Sequence, residues 1–385
     1  MIPFFSYDPL WLKNHKAQYT VQEIQQQPQL WRNLYQTLTD NSAMWQNFLQ
    51  PLLKQTNLQI ILCGAGSSAF VGKSIAPWLR EHRHLNVYAF ASTDIVPTPG
   101  QYLDKSKPTL FVSYARSGNS PESVAAIKLA DQCLTECHHL ILTCNPQSTL
   151  TDYAKNRANV CLLTMPEGSN DRGFAMTSSF SCMALATILL LGNSSLSHAQ
   201  QNLATLTTLC EKQAANWQRI IQPVIQQGFK RMIVLGSHCF TGISEEAALK
   251  MLELTAGQVA TRYDSTMGVR HGPKFFIDKE TLVIILLSQQ AYCRRYDLDL
   301  LNELKQDGRA KNILALSSLP ASNAIELNTK LADIWLIFPY LLFLQLIAVE
   351  TSLFLGLSPD NPCPTGEVNR VVKGVHIYPY MQVEQ

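Results

Sequence analysis

Three short apolar runs recur in this chain at a single spacing. Met232-Ile-Val-Leu-Gly236 echoes Ile60-Ile-Leu-Cys-Gly64, Thr281-Leu-Val-Ile284 echoes Thr109-Leu-Phe-Val112, and Asn312-Ile-Leu-Ala315 echoes Leu140-Ile-Leu-Thr143, each 172 residues downstream. A register kept over separate runs implies internal duplication of one folding unit. Runs this short and aliphatic read as strands covered on both faces. In the first copy strands fall at 58–63, 86–90, 109–112, 140–143 and 160–163, with helical stretches between them and an apolar helix at 180–191. That alternation specifies an α/β fold with two tandem parallel sheets, each flanked by helices.

At 385 residues the chain has room for two such units. Residues 1–50 read as a helical lead-in, 51–200 as the first unit, 215–365 as the second and 366–385 as a C-terminal tail, with helical sequence around 194–222 joining the units. In the lead-in, Thr20-Val-Gln-Glu23 has the pattern of a capping box and Pro28 separates two helical pieces. Apolar content of 46% is ample for buried cores, and a net charge of +2 without basic runs gives no footprint for nucleic acid. The opening Met1-Ile-Pro-Phe-Phe5 lacks the charged region of a secretory leader. The longest apolar run, 334–349, is interrupted by Pro339 and Gln345 and falls short of the roughly 20 residues a spanning helix needs, so a buried helix and no membrane are expected. Ten scattered cysteines without a CxxC pair fit a reduced, cytoplasmic protein. His82, His84, His138 and His139 read as surface residues, and no metal-ligand spacing is present.

The chemistry is concentrated after the third strand, in Ser113-Tyr-Ala-Arg-Ser-Gly-Asn-Ser-Pro-Glu122. Gly118 permits a tight turn with close backbone approach, Ser120 stands at a helix N-cap and Pro121 at the first helical position. Free amides at a helix start, with the hydroxyls of Ser117 and Ser120, suit a phosphate monoester; an ordinary capped turn has the same appearance. Gly64-Ala-Gly66-Ser67-Ser68 and Cys144-Asn145-Pro-Gln-Ser148 also follow strands, and so line the same edge of the sheet. Two nucleotide signatures are incomplete. Ser67–Ser74 ends like a phosphate-binding Gly-Lys-Ser loop but begins with Ser, and Gly64-x-Gly66-x-x-Ala69 has no ribose-binding acid at the end of the next strand. The second copy has Ser288-Gln-Gln-Ala291 where the first has Ser-Gly-Asn-Ser, so the phosphate turn survives once.

Taken together, the Ser-Gly-Asn-Ser turn, the Gly-Ala-Gly-Ser-Ser loop and the duplicated sheet resemble the sugar isomerase (SIS) fold. Glu245-Glu-Ala-Ala-Leu-Lys-Met-Leu-Glu253 and Val269-Arg-His-Gly-Pro273 resemble the isomerase half of glucosamine-fructose-6-phosphate aminotransferase. The overall pattern, including Thr20–Pro28 and the run 115–122, is most similar to bacterial tagatose-6-phosphate ketose/aldose isomerases, read as galactosamine-6-phosphate deaminases. The resemblance implies that Glu253 shuttles a proton, that His271 assists ring opening from a neighbouring subunit, and that Lys373 in the tail closes over the sugar. It implies phosphosugar contacts from Gly64, Gly66, Ser67, Ser68, Arg116, Ser117, Gly118, Ser120, Asn145 and Ser148, with Thr177 a further candidate. Ala115 and Gly66 stand where the aminotransferase has serines, which shifts phosphate contacts toward Ser67, Ser68 or Arg116.

Moving a proton between adjacent carbons of an amino-sugar phosphate needs one carboxylate of near-neutral pKa and no metal or other cofactor. Galactosamine 6-phosphate would then give tagatose 6-phosphate and ammonia. The alternatives are glucosamine-6-phosphate deamination, plain ketose/aldose isomerisation, and a sensor that binds the sugar phosphate without turning it over. A homodimer or homotetramer with shared sites is the implied assembly.

Overall fold

The computed structural model describes residues 7–192, 195–372 and 374–381. The amino-terminal segment forms α1 (Pro9–Asn14), α2 (Gln18–Gln25), α3 (Gln27–Asp40) and α4 (Ser42–Leu53). The first unit begins with β1 (Gln59–Gly64), α5 (Ser67–Arg83), β2 (Asn86–Ala91), α6 (Ser92–Ile95) and α7 (Pro99–Tyr102). It continues through β3 (Thr109–Ala115), α8 (Pro121–Cys133), β4 (Cys137–Thr143), α9 (Thr149–Ala154), β5 (Val160–Thr164) and α10 (Ser178–Leu191). The long α11 (Leu196–Gln226) leads into β6 (Arg231–Gly236), α12 (Cys239–Leu254), β7 (Ala260–Asp264) and β8 (Thr281–Leu286). Then follow α13 (Ala291–Asp307), β9 (Asn312–Ser317), β10 (Ile325–Glu326) and α14 (Asp333–Phe354).

The two sheets have one topology, β2-β1-β3-β4-β5 and β7-β6-β8-β9-β10, and every pairing is parallel. Gln59 pairs with Thr109 as Arg231 pairs with Thr281, so the 172-residue register is a structural one across the central strands. It slips at the next pairing: Leu110 faces His138, whereas Leu282 faces Asn312. A shift of two residues leaves every side chain on its own face of the sheet, so the slip costs no burial.

The copies pack through their first helices, α5 against α12. Lys73 on α5 and Glu245 on α12 form an ion pair at 2.9 Å, and they are equivalent positions, 172 residues apart. A pseudo-twofold axis between the copies brings such positions together. Gly242 allows the close approach, since a Cβ there would lie 2.4 Å from Ser74 Oγ. α14 is long and apolar enough to cross a membrane by length and composition, exceeding the run read from sequence, but its apolar window is wholly buried. It packs against α12 and α11 within a core that continues into the first unit.

Two local expectations fail. Thr20 lies inside α2 and makes no capping box: its amide and hydroxyl donate to Asp360, while Glu23 receives the amides of Arg172 and Gly173. Tertiary partners have taken both ends of the motif. His139 is fully buried on β4, because that strand starts at Cys137 and carries the histidine inward; its Nε2 meets Asp131 at 2.8 Å.

Candidate active site

The order β2-β1-β3 reverses the winding direction between β1 and β3, and such a switch point opens a crevice at the carboxyl ends of the strands. Here it is a cleft of about 330 Å³, within the range of small-molecule sites. Gly66 ends the β1 loop with φ +54° and ψ −128°, and α5 starts on the next residue without a side-chain cap. Gly118 turns the chain after β3 with φ +65°; a Cβ there would stand 2.3 Å from Ser148 Oγ. Ser120 occupies the N-cap of α8 with Pro121 next, as expected, but its hydroxyl bonds Ser123 Oγ at 2.6 Å and caps nothing. Two helix starts without a side-chain cap therefore border one cleft, beside the hydroxyls of Ser67, Ser68, Ser117 and Ser120, although the Ser68 and Ala69 amides of α5 turn back to the Ala65 and Gly66 carbonyls. That is an anion cradle in physical terms.

The opposite wall comes from α12. Glu253 lines the cleft, its side chain 23% exposed. One turn back lies Lys250, 1% exposed, whose ammonium bonds Glu253 Oε2 and stands 3.5 Å from Glu246. Burial pushes the Glu246 carboxyl up to about 8, against the pull of Lys250. For Lys250 burial acts to lower the pKa, but the two carboxylates outweigh it and the net direction is up. Lys250 thus holds one oxygen of Glu253, a residue that lines the cleft. Composition marks neither Glu246 nor Lys250 as special; only their spacing on one face of α12 could have signalled the trio.

The third wall is the loop after β5 together with the tail. Arg116 is buried, which lowers its pKa; it donates to the Phe174 carbonyl at 3.2 Å and to the Arg370 carbonyl at 2.5 Å. Tail residues 368–372 line the cleft; the expected Lys373 lies outside the described residues. Four expected contact residues support the cleft without lining it. Gly64 gives way to the α5 start, a Cβ there falling 2.5 Å from the Ser68 backbone. Asn145 donates to the Ser117 carbonyl at 2.9 Å, and Ser148 caps α9 beneath Gly118. Thr177 gives its amide and hydroxyl to Asp171, which also accepts the amides of Ser178 and Ser179, so the α10 terminus is already filled. His271 is exposed on the second unit, outside the cleft lining of its own chain. Its segment is pinned to α13 by Arg270–Glu303 at 2.8 Å and Lys274–Asp307 at 2.6 Å.

The corresponding crevice of the second sheet holds the protein's own carboxylate. Asp333 accepts from Ser288 Oγ at 2.5 Å and the Gln289 amide at 2.7 Å, and pairs with His238 Nε2 at 3.0 Å. His238 is the 172-residue equivalent of Gly66 and shares its backbone conformation, with φ +43° and ψ −115°. Burial opposes charge on this imidazole, yet Asp333 prevails and its pKa rises to about 12. Open clefts of about 450 and 630 Å³ lie elsewhere and gather no comparable set of serine hydroxyls. Lys73, which completes the Walker-like run, faces Glu245 and is absent from the cleft lining. Asp131, Cys137 and His139 approach one another at the far end of β4, where Tyr153 and Arg157 take the second oxygen of Asp131.

Comparison with known proteins places these features in context. The SIS domain family matches residues 52–191. The D-galactosamine-6-phosphate deaminase AgaS of Shewanella sp. (strain ANA-3) is 42% identical over 376 residues, covering 96% of this chain and 94% of the relative. A protein of the same name from Escherichia coli is 41% identical over 370 residues, covering 94% and 96%. The crystal structure of tagatose-6-phosphate ketose/aldose isomerase from Escherichia coli superposes with a TM-score of 0.87 at 36% identity, covering 98% of this chain and all of that one.

Proposed function

Because the chain belongs to the SIS-domain family of galactosamine-6-phosphate deaminases and tagatose-6-phosphate ketose/aldose isomerases, we propose that it converts D-galactosamine 6-phosphate and water to D-tagatose 6-phosphate and ammonia. The observation that carries this reading is one cleft with two helix starts without a side-chain cap on one side and the Glu253 carboxylate on the other. The phosphate sits in the cradle of Ser67, Ser68, Ser117 and Ser120, which sets the open-chain sugar across the cleft. Glu253 takes the C2 proton with the oxygen that Lys250 leaves free and returns it at C1. With one amine proton passing to the C1 oxygen, the C2 amine is left as an imine, which water hydrolyses to the ketone and ammonia, so the net step is hydrolytic.

His271 opens the ring from a partner subunit in this reading. It stands outside its own chain's cleft, on a segment that also exposes Phe275 (83%) and Met267 (46%), apolar surface suited to a second copy. The units at 51–200 and 215–365 and the tail from 366 are the working parts. All ten cysteines are unpaired, which supports a reducing, cytoplasmic setting.

Ammonia release from galactosamine 6-phosphate and glucosamine 6-phosphate, measured side by side, tests the assignment. The galacto substrate is expected to be deaminated faster; equal or reversed rates would move the substrate assignment. The name of the Escherichia coli structural relative supports a second reading, isomerisation without deamination. It would be seen as interconversion of tagatose 6-phosphate with its aldose and no ammonia from either amino sugar.

A further inference from the structure

The run Thr20–Pro28 takes part in neither the cradle nor the shuttle, yet its polar side chains are engaged across the molecule. The Thr20 hydroxyl donates to Asp360 at 2.8 Å, Gln26 donates to the Gly168 carbonyl at 2.8 Å, and Gln27 donates to Gln345 on α14 at 2.7 Å. Glu23, 5% exposed, receives the backbone amides of Arg172 and Gly173. The loop is pressed onto α2 at that point. A Cβ on Gly173 would stand 2.7 Å from Thr20 Oγ1 and 2.9 Å from Glu23 Oε2.

The geometry on the far side of this loop leads to the cleft. The N–H of Arg172 and the C=O of Asp171 belong to one planar trans peptide, so they point in opposite directions. Glu23 holds the N–H, and the Arg370 guanidinium donates to the C=O at 2.5 Å. Further along, the Phe174 carbonyl accepts from Arg116, whose other terminal nitrogen donates to the Arg370 carbonyl. Both arginines line the cleft. We propose that Glu23 is a positioning residue for phosphosugar binding, fixing through the Asp171–Phe174 loop where Arg116 and Arg370 stand; this rests on the phosphosugar reading of the cleft. A buried acceptor bound to two amides polarises the peptides between it and the arginines, which tightens the chain of bonds.

Two variants in the full-length protein separate positioning from general stability. Glu23→Gln keeps the shape but sets an NH₂ group against the Gly173 amide in place of Oε2, leaving that amide only the longer contact to the other oxygen. It is expected to weaken binding of inorganic phosphate, read by calorimetry, and to raise KM for galactosamine 6-phosphate on the order of tenfold, with kcat little changed because Glu253 is untouched. Gln27→Met cuts the neighbouring tie to α14 and should lower Tm while moving neither quantity. Unchanged phosphate affinity in Glu23→Gln overturns the proposal, as does weakening in both variants in proportion to their loss of Tm. In the unaltered protein, phosphate should slow hydrogen exchange at the Arg172 and Gly173 amides, and exchange indifferent to phosphate counts equally against it. A wild-type protein that binds no phosphate sinks the reading of the cleft as well, an outcome distinct from tight binding by both proteins.

Discussion

Glu253 is the residue on which chemistry and mere binding part. Glu253→Gln retains shape and loses the base, so kcat should fall by about 10²–10⁴ with little change in KM. Exchange of the substrate C2 proton with solvent deuterium should stop while calorimetry still detects binding; persisting exchange places the base elsewhere. The cradle makes the complementary prediction. Replacing Ser117 and Ser120 together with Ala should raise KM, each lost charge-assisted bond being worth roughly 1.5–3 kcal/mol, and an unmoved KM in steady-state assays removes the phosphate from that turn. Ser117, Gly118 and Ser120 were legible because a strand, a small-residue turn and a Pro-led helix are local signals. The environment of Glu253 was not. A lysine three residues before a glutamate reads equally well as a solvated pair, and only packing of α12 against the first unit buries Lys250 beside Glu246. The partner of Thr177 was hidden for the same reason, since nothing local announces that Asp171 fills the end of α10.

Among elements, apolar runs in one register disclosed both sheets, because parallel strands covered on two faces must be continuously hydrophobic. The same register also shows how the second crevice changed. His238 takes the backbone conformation of Gly66, and Asp333, the first residue of α14, supplies the anion that the first cradle leaves to a ligand. This pair has a definite pH signature. Against the opposing pull of burial, hydrogen bonding to Asp333 raises the folded-state pKa of His238 above its ordinary value near 6.5, to about 12. Its stabilisation is complete below about pH 6.5 and drains away as pH rises toward 12. Asp333→Asn removes the acceptor shared by His238, Ser288 and the Gln289 amide and should lower Tm near neutrality. Its Tm should also vary less between pH 7 and 10 than that of the wild type. A parallel pair of Tm–pH curves would show that the ion pair contributes no such linkage. The Thr20–Glu23 pattern warns against reading caps from spacing alone, since Asp360 and the Arg172–Gly173 amides outcompeted the local bonds.

At the scale of the molecule, the two copies meet about a pseudo-twofold marked by Lys73 and Glu245, and among the described residues the second crevice is occupied by Asp333 while the first is not filled in this way. Glu253 belongs to the second copy yet faces the cradle of the first, so the duplication divides a single site between two units. His271 is the element this arrangement leaves out, on a segment that ion pairs tie to α13 and that also exposes Phe275. If a second subunit receives it, Glu253→Gln and His271→Ala damage different chains of each site. Alone, each variant should be nearly inactive. In a mixed dimer the chain with intact Glu253 meets the chain with intact His271 at one site, while the other site carries both lesions. Equal mixing with free exchange makes half the dimers mixed, so about a quarter of wild-type activity should return. Ammonia release after exchange, with heterodimers verified by differential tagging, measures it. Verified heterodimers that stay inactive would confine each site to one chain and assign ring opening to a group other than His271.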